Sequence, residues 1–284
     1  MTDIILDALL DSLKVFGLSL VLYIILSFFE EKLASLLKKH KSISPILGAS
    51  VGLIPQCGIS VVAADLYLKE HITMGTLFAV FFACSDEALP ILLSTGGKAI
   101  YVLPLLILKF VFGFLIGYLI DLAVRRKLTE AEAEEVHIGC CHHEIDHQEA
   151  PVKEHLLHPL IHSIKIFIYV FIVNLFFGVA IYFIGEENIL QFLSQSQWIT
   201  PLVCALVGLI PNCASSVFIS ELFILNGIPF GALFTGLCVN AGLGLIYLLK
   251  NRKSWKDILY IVILLLGSSI LLGYGIIGIM QLFA

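Results

Sequence analysis

Residues 52–60 read Gly-Leu-Ile-Pro-Gln-Cys-Gly-Ile-Ser, and residues 208–216 read Gly-Leu-Ile-Pro-Asn-Cys-Ala-Ser-Ser. The two stretches are copies of one another. The match runs at one offset of 156 residues without a gap: Pro45 with Pro201, Gly52 with Gly208, Pro55 with Pro211, Cys57 with Cys213, Ser60 with Ser216, Asp65 with Glu221 and Gly75 with Gly231, fading near Cys84 and Asn240. Each copy sits in an apolar block of about 25 residues, long enough to enter a bilayer. A glycine and a proline interrupt each block at its middle, where a helix cannot continue unbroken.

The rest of the chain has the composition of a membrane protein. Of its 284 residues, 59% are hydrophobic and 14% charged, against about 25% charged in a soluble domain. Mean hydropathy is +0.99. The net charge of −5 says little, since eight of the 22 acids fall between Glu130 and Glu154, and nothing in the sequence supports nucleic-acid binding. Seven cysteines, most of them inside apolar segments, suggest reduced thiols and no extracellular disulfide framework. The opening segment carries Asp3, Asp7 and Asp11 where a secretion signal carries positive charge, so it is expected to be retained.

Hydropathy marks eight blocks, at 8–29, 44–68, 72–94, 100–123, 159–184, 200–225, 229–249 and 257–283. Lysine and arginine favour the cytoplasmic side. Their clusters are Lys32, Lys38, Lys39 and Lys41, then Arg125, Arg126 and Lys127, then Lys250, Arg252, Lys253 and Lys256. Threading every block straight across puts the first two clusters on opposite sides. If the two broken blocks instead enter and return as hairpins, 13 Lys/Arg face the cytoplasm and Lys98 alone faces out, with Lys14, Lys109 and Lys165 inside segments. Non-helical backbone at membrane depth is tolerated where protein or water covers it. The two units then insert with opposite orientation, and both termini lie outside.

The expected fold is therefore an all-α polytopic membrane protein of two inverted-topology repeats. Each repeat holds three transmembrane helices plus a broken, re-entrant helical hairpin, ten membrane segments when the limbs are counted separately. Residues 1–124 form the first repeat, 125–158 a cytoplasmic linker and 159–284 the second repeat. The expected location is the inner (plasma) membrane of a bacterial or archaeal cell, with the lipid bilayer as partner. The oligomeric state stays open, a homodimer included.

A helix that breaks at mid-membrane exposes backbone N–H and C=O groups able to solvate a substrate. Gln56 and Asn212 add amides there, Cys57 and Cys213 add sulfur, and Ser60, Ser215 and Ser216 add hydroxyls, a pseudo-symmetric substrate site. Sulfur suits soft ions and metalloids; oxygen suits harder ions such as Mn²⁺. The plain alternative is that cysteine fills space and that proline and glycine only kink a helix for packing. Asp86 and Glu87 lie inside the third block near a break expected around Pro90. Two adjacent carboxylates repel, so one keeps a proton near neutrality, as proton coupling requires. Asp65 and Glu221 are repeat-matched acids two turns beyond the tips, suited to proton coupling or ion binding, or simply to interfacial water. Lys109 reads as a snorkelling or interhelical hydrogen-bonding group, with a second role as counter-ion to Asp86 or Glu87.

Between the halves lies a tract with His137, Cys140, Cys141, His142, His143 and His147. Imidazole and thiolate at this density suit a transition metal, although the spacing fits no defined zinc motif. The tract reads as a cytoplasmic metal-capturing loop, against a solvated linker. No resident cofactor is required; a divalent metal would be cargo or bound by the loop.

Taken together, GLIPQCG with downstream SDEALPIL, the second GLIPNC, the two-half build and the His-rich loop resemble the ten-transmembrane heavy-metal exporters, relatives of the arsenical permeases often labelled manganese transporters. The resemblance covers nearly the whole chain. It implies export of a heavy metal or metalloid, with Gln56, Cys57, Asn212, Cys213, Asp86 and Glu87 as the matched positions. The chain has no G-x-x-x-x-G-K-[ST] loop, which excludes a self-contained ATP-driven pump, and no H-E-x-x-H, which weighs against an embedded metalloenzyme. The expectation is a proton-coupled secondary exporter of Mn²⁺ or an arsenic-type species and not an enzyme. The alternatives are a carrier of a small organic anion or organoarsenical, or a channel.

Overall fold

The computed structural model describes residues 44–55, 57–84, 88–124, 198–210, 213–250 and 255–283, with scattered helical positions between 6 and 21 and between 160 and 175. Its elements are α1 (Ser44–Gly52), α2 (Cys57–Leu68), α3 (Met74–Ala83), α4 (Ala88–Ser94), a 3-10 turn (Ala99–Tyr101), α5 (Val102–Ala123), α6 (Thr200–Gly208), α7 (Cys213–Ile224), α8 (Phe230–Val239), α9 (Leu243–Lys250) and α10 (Trp255–Phe283). The described residues are all-helical. Helices α1, α2 and α3 recur 156 residues later, end for end, as α6, α7 and α8.

Local chemistry explains the boundaries. Pro201 occupies the first turn of α6, where its missing N–H costs nothing, and Pro45 holds the same register in α1. Both helices stop at a glycine ahead of Leu-Ile-Pro. The second limbs α2 and α7 end alike: Glu70 (φ 61°) and Asn226 (φ 57°) adopt the left-handed conformation. His71 N–H then bonds to Leu66 O at 2.8 Å and Gly227 N–H to Leu222 O at 2.9 Å. This closing turn satisfies the last carbonyls and turns the chain sharply into α3 and α8.

Close contacts give the helix directions. A Cβ on Gly48 would lie 2.8 Å from Thr76 O, and one on Gly52 2.6 Å from Val80 O, so α1 and α3 run side by side in the same direction. Since α2 starts after Gly52 and ends just before α3 begins, it runs back against both. Helix α5 is antiparallel to α3: a Cβ on Gly75 would sit 2.0 Å from Gly117 O, while Gly113 faces Ala79 and Phe82. The mates Gly231 and Gly273 repeat that approach, a Cβ on Gly231 lying 2.4 Å from Gly273 O. Apolar side chains gain little by leaving lipid for protein, so helices in a bilayer associate through such close backbone packing.

The two halves exchange helices. Helix α2 packs on α9 and, reciprocally, α7 packs on α4, while α3 meets α8 between them. There Phe82 and Phe234 touch edge to face at 6.0 Å. Every residue of α3 and α8 is buried. Helices α5 and α10 instead bury one stripe each, Val102, Leu105, Lys109, Gly113, Gly117 and Ile120 in α5. Outward they show large apolar side chains such as Leu103, Ile107, Leu119 and Leu271. Among the described residues, four stretches are long and apolar enough to cross a membrane: Met74–Ser94, Ala99–Ala123, Phe230–Leu249 and Trp255–Leu282.

Two of those stretches differ from the sequence expectation. The break placed near Pro90 falls earlier: α3 ends at Ala83 and α4 starts at Ala88, with Pro90 inside its first turn, where proline is tolerated. The block 229–249, read as one uninterrupted span, is broken at Asn240–Gly242, with Gly242 at φ 58°. Each half thus carries two interrupted elements. The blocks 8–29 and 159–184 contribute only isolated described positions, among them Phe16 and Phe167, whose rings meet at 5.9 Å.

Candidate functional site at the helix breaks

Described contacts bring the interruptions together. Ser60, one turn into α2 and fully buried, accepts a hydrogen bond from Gly244 N–H at 3.2 Å, at the start of α9. Asn240, in the break before α9, donates from Nδ2 to Ser215 Oγ at 3.3 Å in the first turn of α7 and accepts from Gly242 N–H at 3.1 Å. Ser215 in turn donates to Ile210 O at 3.0 Å, across the break between α6 and α7. A Cβ on Gly244 would meet Ser60 O at 2.4 Å and Phe81 Cε1 at 2.8 Å, so the chain passes there with no room for a side chain. Helices α2, α7 and α9 all begin at this level, and their first-turn N–H groups carry the positive end of each helix dipole.

Of the expected substrate residues, Ser60 and Ser216 are buried in the first turns of α2 and α7, in equivalent places. Gln56 and Asn212 lie outside the described residues. Cys57 and Cys213 open α2 and α7 as backbone positions, and their side chains are outside the description. Asp86 and Glu87 also lie outside it, between the end of α3 and the start of α4. His137, Cys140, Cys141, His142, His143 and His147, with the whole linker, do so too, as does the suggested pairing of Lys109 with Asp86 or Glu87. Among the described residues no group of three or more His, Cys, Asp or Glu side chains is placed to hold a metal ion. Cys84, Cys204 and Cys238 are buried and form no disulfide.

Asp65 and Glu221 sit toward the far ends of α2 and α7, away from the breaks. Asp65 accepts from Tyr247 Oη at 2.9 Å and pairs with Lys69 at 3.3 Å, with 21% of its side chain exposed. Nearby, Tyr67 donates to Asp257 at 2.9 Å. These two tyrosine–carboxylate bonds join α2 of one half to α9 and α10 of the other. The equivalent junction at the opposite end is chemically different. Lys98 donates to Asn226 at 2.6 Å and lies 4.5 Å from the ring centre of Phe223, which packs on Tyr101 at 5.2 Å. Burial lowers the Lys98 ammonium below the ordinary lysine range. Residues 67 and 257 correspond by the repeat offset to 223 and 101, so both ends use the same positions with different side chains.

Asn240 was not placed at the site by sequence reasoning, whereas Lys109 was read as an interhelical hydrogen-bonding group or a counter-ion. Asn240 is buried (6% exposed) in an otherwise apolar stretch, and the following Ala-Gly was the available signal. Lys109 is fully buried, and its Nζ donates to the backbone carbonyls of Cys84 and Leu237. Of the roles the sequence suggested for it, hydrogen bonding between helices is the one observed, and snorkelling to a surface is not.

No curated protein and no solved structure matches the chain. A family model does: residues 2–173, more than half of the sequence, match the family described as "Putative, 10TM heavy-metal exporter". With its long apolar helices the chain is a multi-pass membrane protein, and it belongs to that heavy-metal exporter family.

Proposed function

We propose that the protein is a secondary-active, proton-coupled carrier that exports a heavy metal or metalloid, Mn²⁺ or an arsenic-type species, by alternating access around the helix breaks, as in other carriers built from broken helices. The observation that carries this reading is the reciprocal exchange of half-helices, α2 onto α9 and α7 onto α4. Ser60 meets Gly244, and Asp65 lies two turns on beside Tyr247, so α2 runs parallel to α9 and against α3. That relation supports two repeats of inverted topology, residues 1–124 and 159–284, each with three crossings and a re-entrant hairpin. Lys98 touching Asn226 supports one face for both, and Tyr67 on Asp257 supports the other face for Lys69 and Lys256. With the linker 125–158 cytoplasmic, the latter face is the inner one.

In this reading Gln56, Cys57, Ser60, Asn212, Cys213 and Ser216 bind the cargo, Asp86 and Glu87 carry the coupled proton, and the linker gathers metal through His137, Cys140, Cys141, His142, His143 and His147. Asp65 takes a gating role through Tyr247. The chain then works as a carrier and not an enzyme. A second reading, an anionic cargo such as an oxyanion or organoarsenical, is favoured by the helix N-termini that begin at the breaks. The test is uptake into inverted vesicles under an imposed pH gradient, with Mn²⁺, Zn²⁺ and trivalent arsenic as probes. Gradient-driven uptake of a soft species that disappears in Cys57→Ser/Cys213→Ser supports thiol ligation. Mn²⁺ uptake that survives this change moves the site to Gln56, Asn212 and the acidic pair. No uptake of any probe counts against a metal carrier.

A further inference from the structure

Lys109 lies in the inward stripe of α5, 0% exposed, between Leu105 and Gly113. Its Nζ donates to Cys84 O and, at 2.9 Å, to Leu237 O. Cys84 caps the C-terminus of α3, and Leu237 lies in the last turn of α8. Both oxygens therefore belong to the carbonyls that a helix end leaves without an intrahelical partner. They come from the two different halves, at the helices that meet across the centre of the molecule. The repeat mate of Lys109 is Leu265, 1% exposed, so the amine is an addition to the duplicated packing and not a requirement of it.

A buried ammonium is costly unless its donors are used, and the C-terminal end of a helix carries the partial negative charge that favours a cation. In broken-helix carriers, half-helix C-termini and unwound carbonyls hold the coupling cation. We infer that Lys109 is a built-in cation: its ammonium fills, between the C-termini of α3 and α8, the place that a diffusible coupling cation would take, and ties the two halves together there. The inference rests on the carrier reading for the word coupling, whereas the bridging role stands on the contacts alone. It also makes Na⁺ superfluous to this protein.

The test is the melting temperature of the full-length protein in lipid nanodiscs, in sodium or choline chloride, with methylammonium as an added probe. Wild type is expected to melt identically in both salts and to ignore methylammonium. Lys109→Ala is expected to melt at least ~5 °C lower, and to regain half of that loss when methylammonium or Na⁺ enters the vacated space. Lys109→Met, of similar volume and without charge, should melt low and respond to neither, while Lys109→Arg should stay near wild type. Saturable Na⁺ stabilisation of wild type, a Lys109→Met protein that melts with wild type, or a folded alanine variant that neither cation restores would each overturn the inference. If the alanine variant does not fold, wild-type indifference to Na⁺ and the contrast between Met and Arg decide. Failure of the carrier reading shows separately, as absence of vesicle uptake with these melting contrasts intact.

Discussion

Tyr67→Phe combined with Tyr247→Phe removes two hydroxyls from one end of the molecule and changes little else. Each hydroxyl donates to a carboxylate of the other half at 2.9 Å. A buried hydrogen bond to a charged group is worth about 1.5–3 kcal/mol. Tyr67 is 2% exposed, but Asp65 keeps contact with water and shares itself with Lys69, so roughly half of that per bond is the better figure. The pair then contributes about 2 kcal/mol to closure of this end, and its loss raises the open fraction by up to ~30-fold. The readout is site-resolved alkylation of the native thiols by N-ethylmaleimide. Cys84 and Cys238, 2% and 0% exposed, react when the centre opens, and Cys204 in α6 reports general loosening. The double variant should alkylate Cys84 and Cys238 at least ~5-fold faster, with little change at Cys204. Rates within about twofold of wild type, or equal acceleration at all three thiols, would show that these bonds do not hold the halves closed.

Other outcomes follow from the packing. Gly117→Ala places a methyl 2.5 Å from Gly75 O and should destabilise the protein by about 1–3 kcal/mol, whereas Gly96→Ala, with nothing within 4 Å, should melt like wild type. Asp121 accepts from Thr73 Oγ1 at 2.7 Å and from Gly75 N–H at 2.8 Å at the start of α3, so Asp121→Ala should cost about 1–2 kcal/mol in the same melting assay. Lys98→Cys paired with Asn226→Cys should be joined by a short bis-methanethiosulfonate cross-linker, while Lys98→Cys with Lys69→Cys should not; the reverse pattern would contradict the arrangement of the halves.

Much of the helix layout can be read from residues whose physics is local. Pro55 and Pro211 stand in the middle of their apolar blocks, where a helix cannot run through proline, and the breaks at 52–57 and 208–213 span those positions. Pro90 misleads for the complementary reason: in a first turn its missing N–H is no loss, so it marks the start of α4 and not the break itself. The interruption at Asn240–Gly242 is masked by apolar neighbours in a hydropathy average. Average hydropathy also cannot separate α3 and α8, wrapped in protein, from α5 and α10, which present an apolar face outward, because both environments favour the same side chains. The partners of the candidate groups are likewise tertiary. That Ser60 meets Gly244, that Asn240 meets Ser215 and that Lys109 reaches two helix ends depends on residues 25 to 184 positions apart.

The exchange of α2 and α7 between the halves bears on how such a chain could arise. A single repeat produced by itself would leave the face of its second limb bare, since the helix that covers it belongs to the other repeat. Two identical copies would cover each other only if one entered the membrane upside down relative to its twin. On the inverted-repeat reading proposed above, a single repeat would need an opposed second copy to cover its second limb. Joined in one chain, the two copies are free to differ, as Lys109 does from Leu265 at the matching position of the other repeat.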